Sequence, residues 1–180
     1  MGGDERLRLF LALRLPGDVL DEVEAWQRRE LPSSVRAVPR EQLHVTLAFL
    51  GSRPAGELDG ILGALRDAAA EADPAMPLSP ACYRETRSVG MVVLDDEDGR
   101  AASLAGDVQE RLERLGVYRR EARPWLAHLT VARFRQRPRL RPAEVPGRTF
   151  VPSDAAAYLS RLRPSGAQYE VLEAVAIAAR

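Results

Sequence analysis

The sequence predicts an α+β protein of two pseudo-two-fold related lobes, each an antiparallel-rich sheet backed by helices, with a central cleft between them. Three observations carry this. The only two histidines in the 180 residues stand in the same frame, Leu43-His44-Val45-Thr46-Leu47 and Ala127-His128-Leu129-Thr130-Val131. Each half of the chain reads strand, helix, then a His-x-Thr strand. The spacing also matches: 34 residues separate Phe10 from His44, and 36 separate Val92 from His128. Matched order at matched spacing is the mark of an internal duplication, which brings equivalent strands together about one axis.

The elements follow in order. Leu7 to Leu15 is a strand candidate, closed by Pro16-Gly17. Asp18 can cap a helix reaching about Glu30, with Val19, Leu20, Val23 and Trp26 on its apolar face. Pro32 ends it, and the first histidine strand runs from Leu43 to Leu50 before Gly51. A second helix is expected over about Glu57 to Glu71. The second half opens with a strand from Val89 to Leu94, then the acidic turn Asp95 to Gly99. A helix from about Arg100 to Leu115 carries Leu104, Val108, Leu112 and Leu115 on one face, with Gly116 at its end. The second histidine strand spans Leu126 to Phe134. In the tail, Phe150-Val151 and Ala156 to Leu162 read as extended, Pro164-Ser165-Gly166 as a turn, and Tyr169 to Ala178 as apolar. The last pair is expected to form a hairpin on one lobe. Residues 1–180 are read as a single bilobal domain.

Side chains alternate faces along a strand, so His and Thr at i and i+2 point the same way. Each pair sets an imidazole and a hydroxyl about 7 Å apart, at a rise of roughly 3.3 Å per residue. Val45 and Leu47, like Leu129 and Val131, then face the packed side. Two such pairs across a cleft would cage one tetrahedral anion. The plainer alternative is a pair of hydrogen-bonded core histidines.

Composition narrows the class. Formal net charge is zero, so no global field attracts a polyanion, and any basic surface is local. All 26 basic residues are arginine. The single Cys82 excludes an internal disulfide framework and fits a reducing cytoplasm, where it reads as a small buried hydrophobe. No apolar run approaches a membrane span, so a cytoplasmic monomer without membrane contact is expected. The turn at 95–98 fails the calcium-loop template and reads as solvated. Neither histidine motif holds a carboxylate or thiol, which makes a poor zinc site, so no metal and no cofactor are expected. The chain also has no glycine-rich phosphate loop with a lysine.

These residues resemble the two-histidine phosphoesterase superfamily, and within it the RNA 2′,3′-cyclic phosphodiesterase branch, also called 2′-5′ RNA ligase or LigT-like. Arg6 to Leu13 followed by Leu15-Pro16 is similar to the family's opening strand. Val35 to Pro39, Gln42 to Leu47 and Phe49-Leu50-Gly51 resemble its first motif block. Arg123-Pro124-Trp125 before His128 to Arg133 resembles its second, although Phe is usual where Trp125 stands and Pro where Ala127 stands. Tyr158, Ser160, Leu162, Pro164 and Gly166-Ala167 resemble its C-terminal segment.

The resemblance implies a metal-independent reaction that opens an RNA or nucleotide 2′,3′-cyclic phosphate to the 2′-phosphate. His44 and His128 would be the catalytic acid and base, with a lean to His128 as base. Thr46 and Thr130 would donate to the non-bridging phosphate oxygens. Arg133 matches an arginine of the family motif, yet regular alternation puts it on the face opposite His128. Only a bulge or a strand end would bring it to the phosphate. Phe10 and Trp125 are candidate stacking surfaces for a base, against the plainer reading of strand aromatics as core. Arg133, Arg135, Arg137, Arg139 and Arg141, with Arg119, Arg120 and Arg123, could line an RNA path; a solvated arm is the plainer reading. The expected partners are RNA 3′ ends or 2′,3′-cyclic nucleotides. The competing functions are 2′-5′ ligation of RNA ends at the same site, and a non-catalytic RNA-end binding module.

Overall fold

The computed structural model describes residues 5–178. The chain runs β1 (Arg6–Arg14), α1 (Gly17–Glu30), β2 (Arg36–Ala37), β3 (Val45–Pro54), α2 (Leu58–Glu71), β4 (Ser79–Glu85), β5 (Val89–Asp95), α3 (Arg100–Arg114), β6 (His128–Arg133), β7 (Asp154–Arg163) and β8 (Gly166–Val175). Two four-stranded sheets result, ordered β3-β1-β7-β8 and β2-β6-β5-β4. Every pairing is antiparallel. The α+β class, the two sheets and the C-terminal hairpin follow the sequence reading.

The helices cross over between the halves. α2 and α3 pack against each other and against the first sheet, α3 on β3 and α2 on β7 and β8. α1 follows a strand of the first sheet but lies on the second. Its Trp26 is fully buried with its ring centroid 6.0 Å from that of Tyr83 in β4, and its Gln27 reaches Val38 and Val131. One continuous apolar core therefore includes Leu11, Leu13 and Leu47 of the first sheet and Val92, Leu129 and Val131 of the second. Burying a Leu or Val side chain stabilises by about 1.5–3 kcal/mol, so the two sheets support each other.

Several local readings change. β3 begins at Val45 and β6 at His128, so both histidines stand at the mouths of their strands. β4 was not expected, because Pro80 and the polar mix of Ser79–Glu85 hide an edge strand. α1 starts at Gly17, so Asp18 sits in its first turn, not at its cap. The acidic turn is more than solvated: the Asp96 carboxylate accepts from the backbone N–H groups of Ala101 (3.3 Å) and Ala102 (2.8 Å) and closes the start of α3. Cys82 is half-buried and unpaired. Among the described residues, no helix is long and apolar enough to cross a membrane.

Candidate active site

Each histidine is oriented by the backbone two residues before it. His44 Nδ1 lies 2.7 Å from the Gln42 carbonyl oxygen, and His128 Nδ1 lies 2.8 Å from that of Leu126. A carbonyl only accepts, so each Nδ1 carries a proton and each Nε2 is left for chemistry. In His44 that Nε2 is 3.0 Å from the Thr46 hydroxyl. With His44 uncharged, the hydroxyl donates to it. Thr46 and His128 line one cavity of about 360 Å³, and Trp125 Nε1 donates to the Thr46 carbonyl at 2.9 Å. The two motifs therefore converge, although they lie 84 residues apart in sequence.

Both strands bulge at the residue after the threonine. In β3, Leu11 pairs with Ala48 but Ala12 pairs with Thr46, which leaves Leu47 as the extra residue. In β6, Gly90 pairs with Ala132 but Met91 pairs with Thr130, which leaves Val131 extra. An extra residue reverses the facing of everything beyond it. Leu47 and Ala48 are thus both buried, as are Val131 and Ala132. Position five after each histidine then returns to the threonine's face. That position is Phe49 in β3 and Arg133 in β6, both exposed. The bulge removes the obstacle that strict alternation raises for Arg133.

A buried glutamine from the crossed-over helix braces each bulge. Gln27 of α1 donates to the carbonyls of Val38 and Val131, both at 2.9 Å. Gln109 of α3 donates to the Leu47 carbonyl at 2.9 Å. Sequence reasoning missed this pair. The available signal was a single polar residue on an apolar stripe, Gln27 four positions after Val23 and Gln109 four after Ala105.

The surroundings of the two rings differ. The His44 ring centroid is 4.8 Å from Phe10, 6.1 Å from Tyr158 and 5.8 Å from Tyr169. Burial in this aromatic nest is the main cause that pushes its pKa down to about 4, partly opposed by the bond to the Gln42 carbonyl; the nearby charges of His128 and Arg133 lower it further. His44 is therefore uncharged at neutral pH. Phe10 is only 3% exposed and stacks on Tyr158, centroids 4.8 Å apart, so the stacking role expected of it is corrected: it is a wall behind His44. Trp125 is half-buried and lines the His128 cavity with Phe49 and Tyr118. Thr130 is half-buried and lies on the His128 face. The arginine arm divides. Arg133, Arg135 and Arg137 line one groove, while Arg141 lies in another beside Cys82, and Arg120 and Arg123 border the Trp125 cavity. Arg139 has φ +57°, a turn pinned by its own N–H and that of Leu140 donating to the Glu85 carboxylate at 2.9 and 2.7 Å.

Each motif thus offers an imidazole whose Nε2 is left for proton transfer and a threonine hydroxyl, the kinds of group that acid–base chemistry on an anion needs. The likeness to known proteins agrees with that reading. The family model for LigT-like phosphoesterases matches residues 13–83. An RNA 2′,3′-cyclic phosphodiesterase of Methanocaldococcus jannaschii is 23% identical over 175 residues, covering 93% of this chain and 99% of its own. The crystal structure of TT0787 of Thermus thermophilus superposes with a TM-score of 0.81 at 29% identity, covering 96% of this chain and 98% of the other. Escherichia coli LigT complexed with 3′-AMP shares the fold with a TM-score of 0.72 at 21% identity, covering 96% and 99%. The family match contains the first histidine motif, and the relatives extend over the second, so the chain is similar to LigT-like phosphoesterases along nearly its whole length.

Proposed function

We propose that the protein hydrolyses 2′,3′-cyclic phosphates of RNA 3′ ends or nucleotides to 2′-phosphates, without a metal, by two-histidine acid–base catalysis. The observation that carries this is the matched pair of His-Thr motifs, each imidazole tied through Nδ1 to a backbone carbonyl so that Nε2 remains for proton transfer. The names of two relatives support the substrate class: one is an RNA 2′,3′-cyclic phosphodiesterase, and another binds 3′-AMP.

Water attacks phosphorus while the bond to the ribose 3′-oxygen breaks. One histidine takes the proton from water and the other gives a proton to the 3′-oxygen. The sequence leans to His128 as base; the uncharged state of His44 favours the reverse. A half-buried neutral imidazole among aromatic rings is ready to accept a proton and reluctant to hold one. We therefore assign the base to His44 and the acid to His128. Thr46 must turn its hydroxyl from His44 Nε2 to a phosphate oxygen, which frees that nitrogen as the substrate arrives. Thr130 donates from the other motif, and Arg133 offsets the phosphate charge.

The test is hydrolysis of a 2′,3′-cyclic mononucleotide in EDTA, with the phosphate isomer identified by phosphorus NMR. The expected product is the 2′-phosphate, at a rate unchanged by the chelator. A 3′-phosphate product, or activity lost in EDTA and restored by a divalent ion, rejects the mechanism.

A further inference from the structure

β3 and β6 lead away from the two histidines but share no ladder. β3 is an edge strand that pairs only with β1, while β6 pairs with β2 and β5 in the other sheet. No strand pairing therefore sets the spacing between the two motifs. An acid and a base on opposite sides of one phosphorus need that spacing held, since a misplacement of about 1 Å can cost about 10²-fold in rate. Among the described residues, one hydrogen bond runs directly between the two motif blocks, Arg123 to Arg133 and Gln42 to Phe49. In it, Trp125 Nε1 donates to the Thr46 carbonyl at 2.9 Å.

Both ends of that bond sit where a small movement reaches the chemistry. At one end, Thr46 stands at the bulge of β3, where Leu11 pairs with Ala48 and Ala12 with Thr46. A bulge disrupts the ladder, and here two carbonyls are taken up from outside the sheet. Gln109 of α3 donates to that of Leu47, and Trp125 to that of Thr46. The Thr46 hydroxyl in turn lies 3.0 Å from His44 Nε2. At the other end, Trp125 lies three residues before His128, in the irregular segment 115–127 between α3 and β6. Arg120 and Arg123 of that segment bond to Glu113 and Glu121, so neither ties it to the first motif. His44 also has an anchor that His128 lacks among the described residues. Gln42, whose carbonyl accepts from His44, donates its side-chain amide to the Ala167 carbonyl of β8 at 2.6 Å. Leu126, in the same place before His128, has an exposed apolar side chain with nothing to donate. The first histidine is thus fixed to its own sheet, and the second takes its place through the segment that Trp125 holds. On the reading of the function given above, we propose that Trp125 is a positioning residue whose indole N–H clasps the two histidine motifs at the separation that one phosphate needs. It acts through Thr46 and His128 and moves no proton itself. A ring that served only as a cavity wall or a stacking surface would have no use for the N–H.

The experiment removes the N–H and keeps the ring, by site-specific incorporation of 3-benzothienylalanine in place of Trp125, with sulfur where the indole has N–H. Trp125→Phe is the second variant. kcat and KM are measured for 2′,3′-cyclic AMP and 2′,3′-cyclic CMP, with Tm beside them. The expected result in both variants is a kcat lower by about 10–10²-fold, with KM changed by less than about threefold and the same loss for purine and pyrimidine. A loss that falls on KM and differs between the two bases assigns Trp125 to base stacking and overturns the proposal. So does a benzothienyl variant with the parent's kcat, whether or not its Tm falls. If the parent hydrolyses neither nucleotide, the function assigned above fails by itself, and inorganic phosphate then decides the clasp. The chain has only two histidines, so their ring resonances can be followed one by one during a phosphate titration. Phosphate that shifts both rings in the parent and binds the benzothienyl variant several-fold more weakly sustains the clasp. Phosphate that reaches only one ring or neither, or that binds parent and variant alike, rejects it.

Discussion

β3 and β6 are built to one plan and differ at one decisive position. His44-Val45-Thr46-Leu47-Ala48-Phe49 and His128-Leu129-Thr130-Val131-Ala132-Arg133 share the histidine, the threonine, the bulge after it and two buried residues at the bulge. Both rings are tied by Nδ1 to the carbonyl two residues back, and both bulges are braced by a buried glutamine of the crossed-over helix. Then Phe49 stands where Arg133 does. The Arg8 guanidinium lies 4.8 Å from the Phe49 ring centre, whereas Arg133 opens onto the basic groove. On the proposed mechanism the shared frame aims equivalent groups at one anion. The differing residues put an aromatic ring in the Trp125 cavity from one strand and a guanidinium in the basic groove from the other, so the nearly symmetric scaffold is unequal on its two sides.

The strongest test of the shared plan removes the imidazoles. His44→Ala and His128→Ala should each lower hydrolysis of the cyclic phosphate by about 10²–10⁴, the usual worth of one positioned proton transfer. The double variant should be little worse than the worse single one, because both groups act in one transition state. Losses that multiply in the double variant would show that the halves work separately.

Removing a hydroxyl should cost less. Thr46→Val and Thr130→Val keep the shape and should each lower the rate by about 10–10³, as for a lost oxyanion donor. The halves should part here, because in the free protein only Thr46 has its hydroxyl on a catalytic imidazole. Thr46→Val should therefore shift the pH dependence as well as the rate, and Thr130→Val the rate alone. Identical pH profiles in the two variants would mean that the Thr46–His44 contact has no part in the free enzyme.

The braces should matter to stability. Gln27→Met takes the donor from two carbonyls and Gln109→Met from one, and each should cost about 1–3 kcal/mol in urea denaturation, the first more than the second. A cost in one half only would make the matched glutamines coincidental.

This comparison also marks what was legible in the sequence. The placing of His44 with Thr46, and of His128 with Thr130, on one face of a strand was legible because a two-residue period needs only a strand, and both flanks are apolar. The facing of Arg133 was not, because a bulge breaks that period and its partner register is set by β5, on the far side of α3 in the chain. The buried pairs Leu47-Ala48 and Val131-Ala132 were its one local trace. Phe10 misled for a related reason. An aromatic on a central strand declares neither face nor exposure, and only β7, which brings Tyr158 onto it, shows that the ring is covered. The crossed helices were invisible because spacing reports duplication but not which sheet a helix lies on.

The smallest expected effect is the most discriminating between the two histidines. kcat/KM reports the ionisations of the free enzyme. If His44 is the base, activity rises as it loses its proton, so the acidic limb should lie near its lowered pKa of about 4, far below the usual 6.5 of a free imidazole. Arg133→Gln removes a like charge and should move that limb upward. Burial among Phe10, Tyr158 and Tyr169 is the larger cause, so the limb should stay well below 6.5. His44→Ala should abolish it in the residual activity. The same shift enters stability. Between about pH 6.5 and 4 the unfolded chain binds a proton at His44 that the folded chain refuses, so stability should fall as the pH falls through that window. His44→Ala should lack that part of the fall, whereas His128→Ala should retain it. A limb that moves downward in Arg133→Gln, or a His44→Ala variant whose stability falls as steeply as the parent's, would remove His44 as the base.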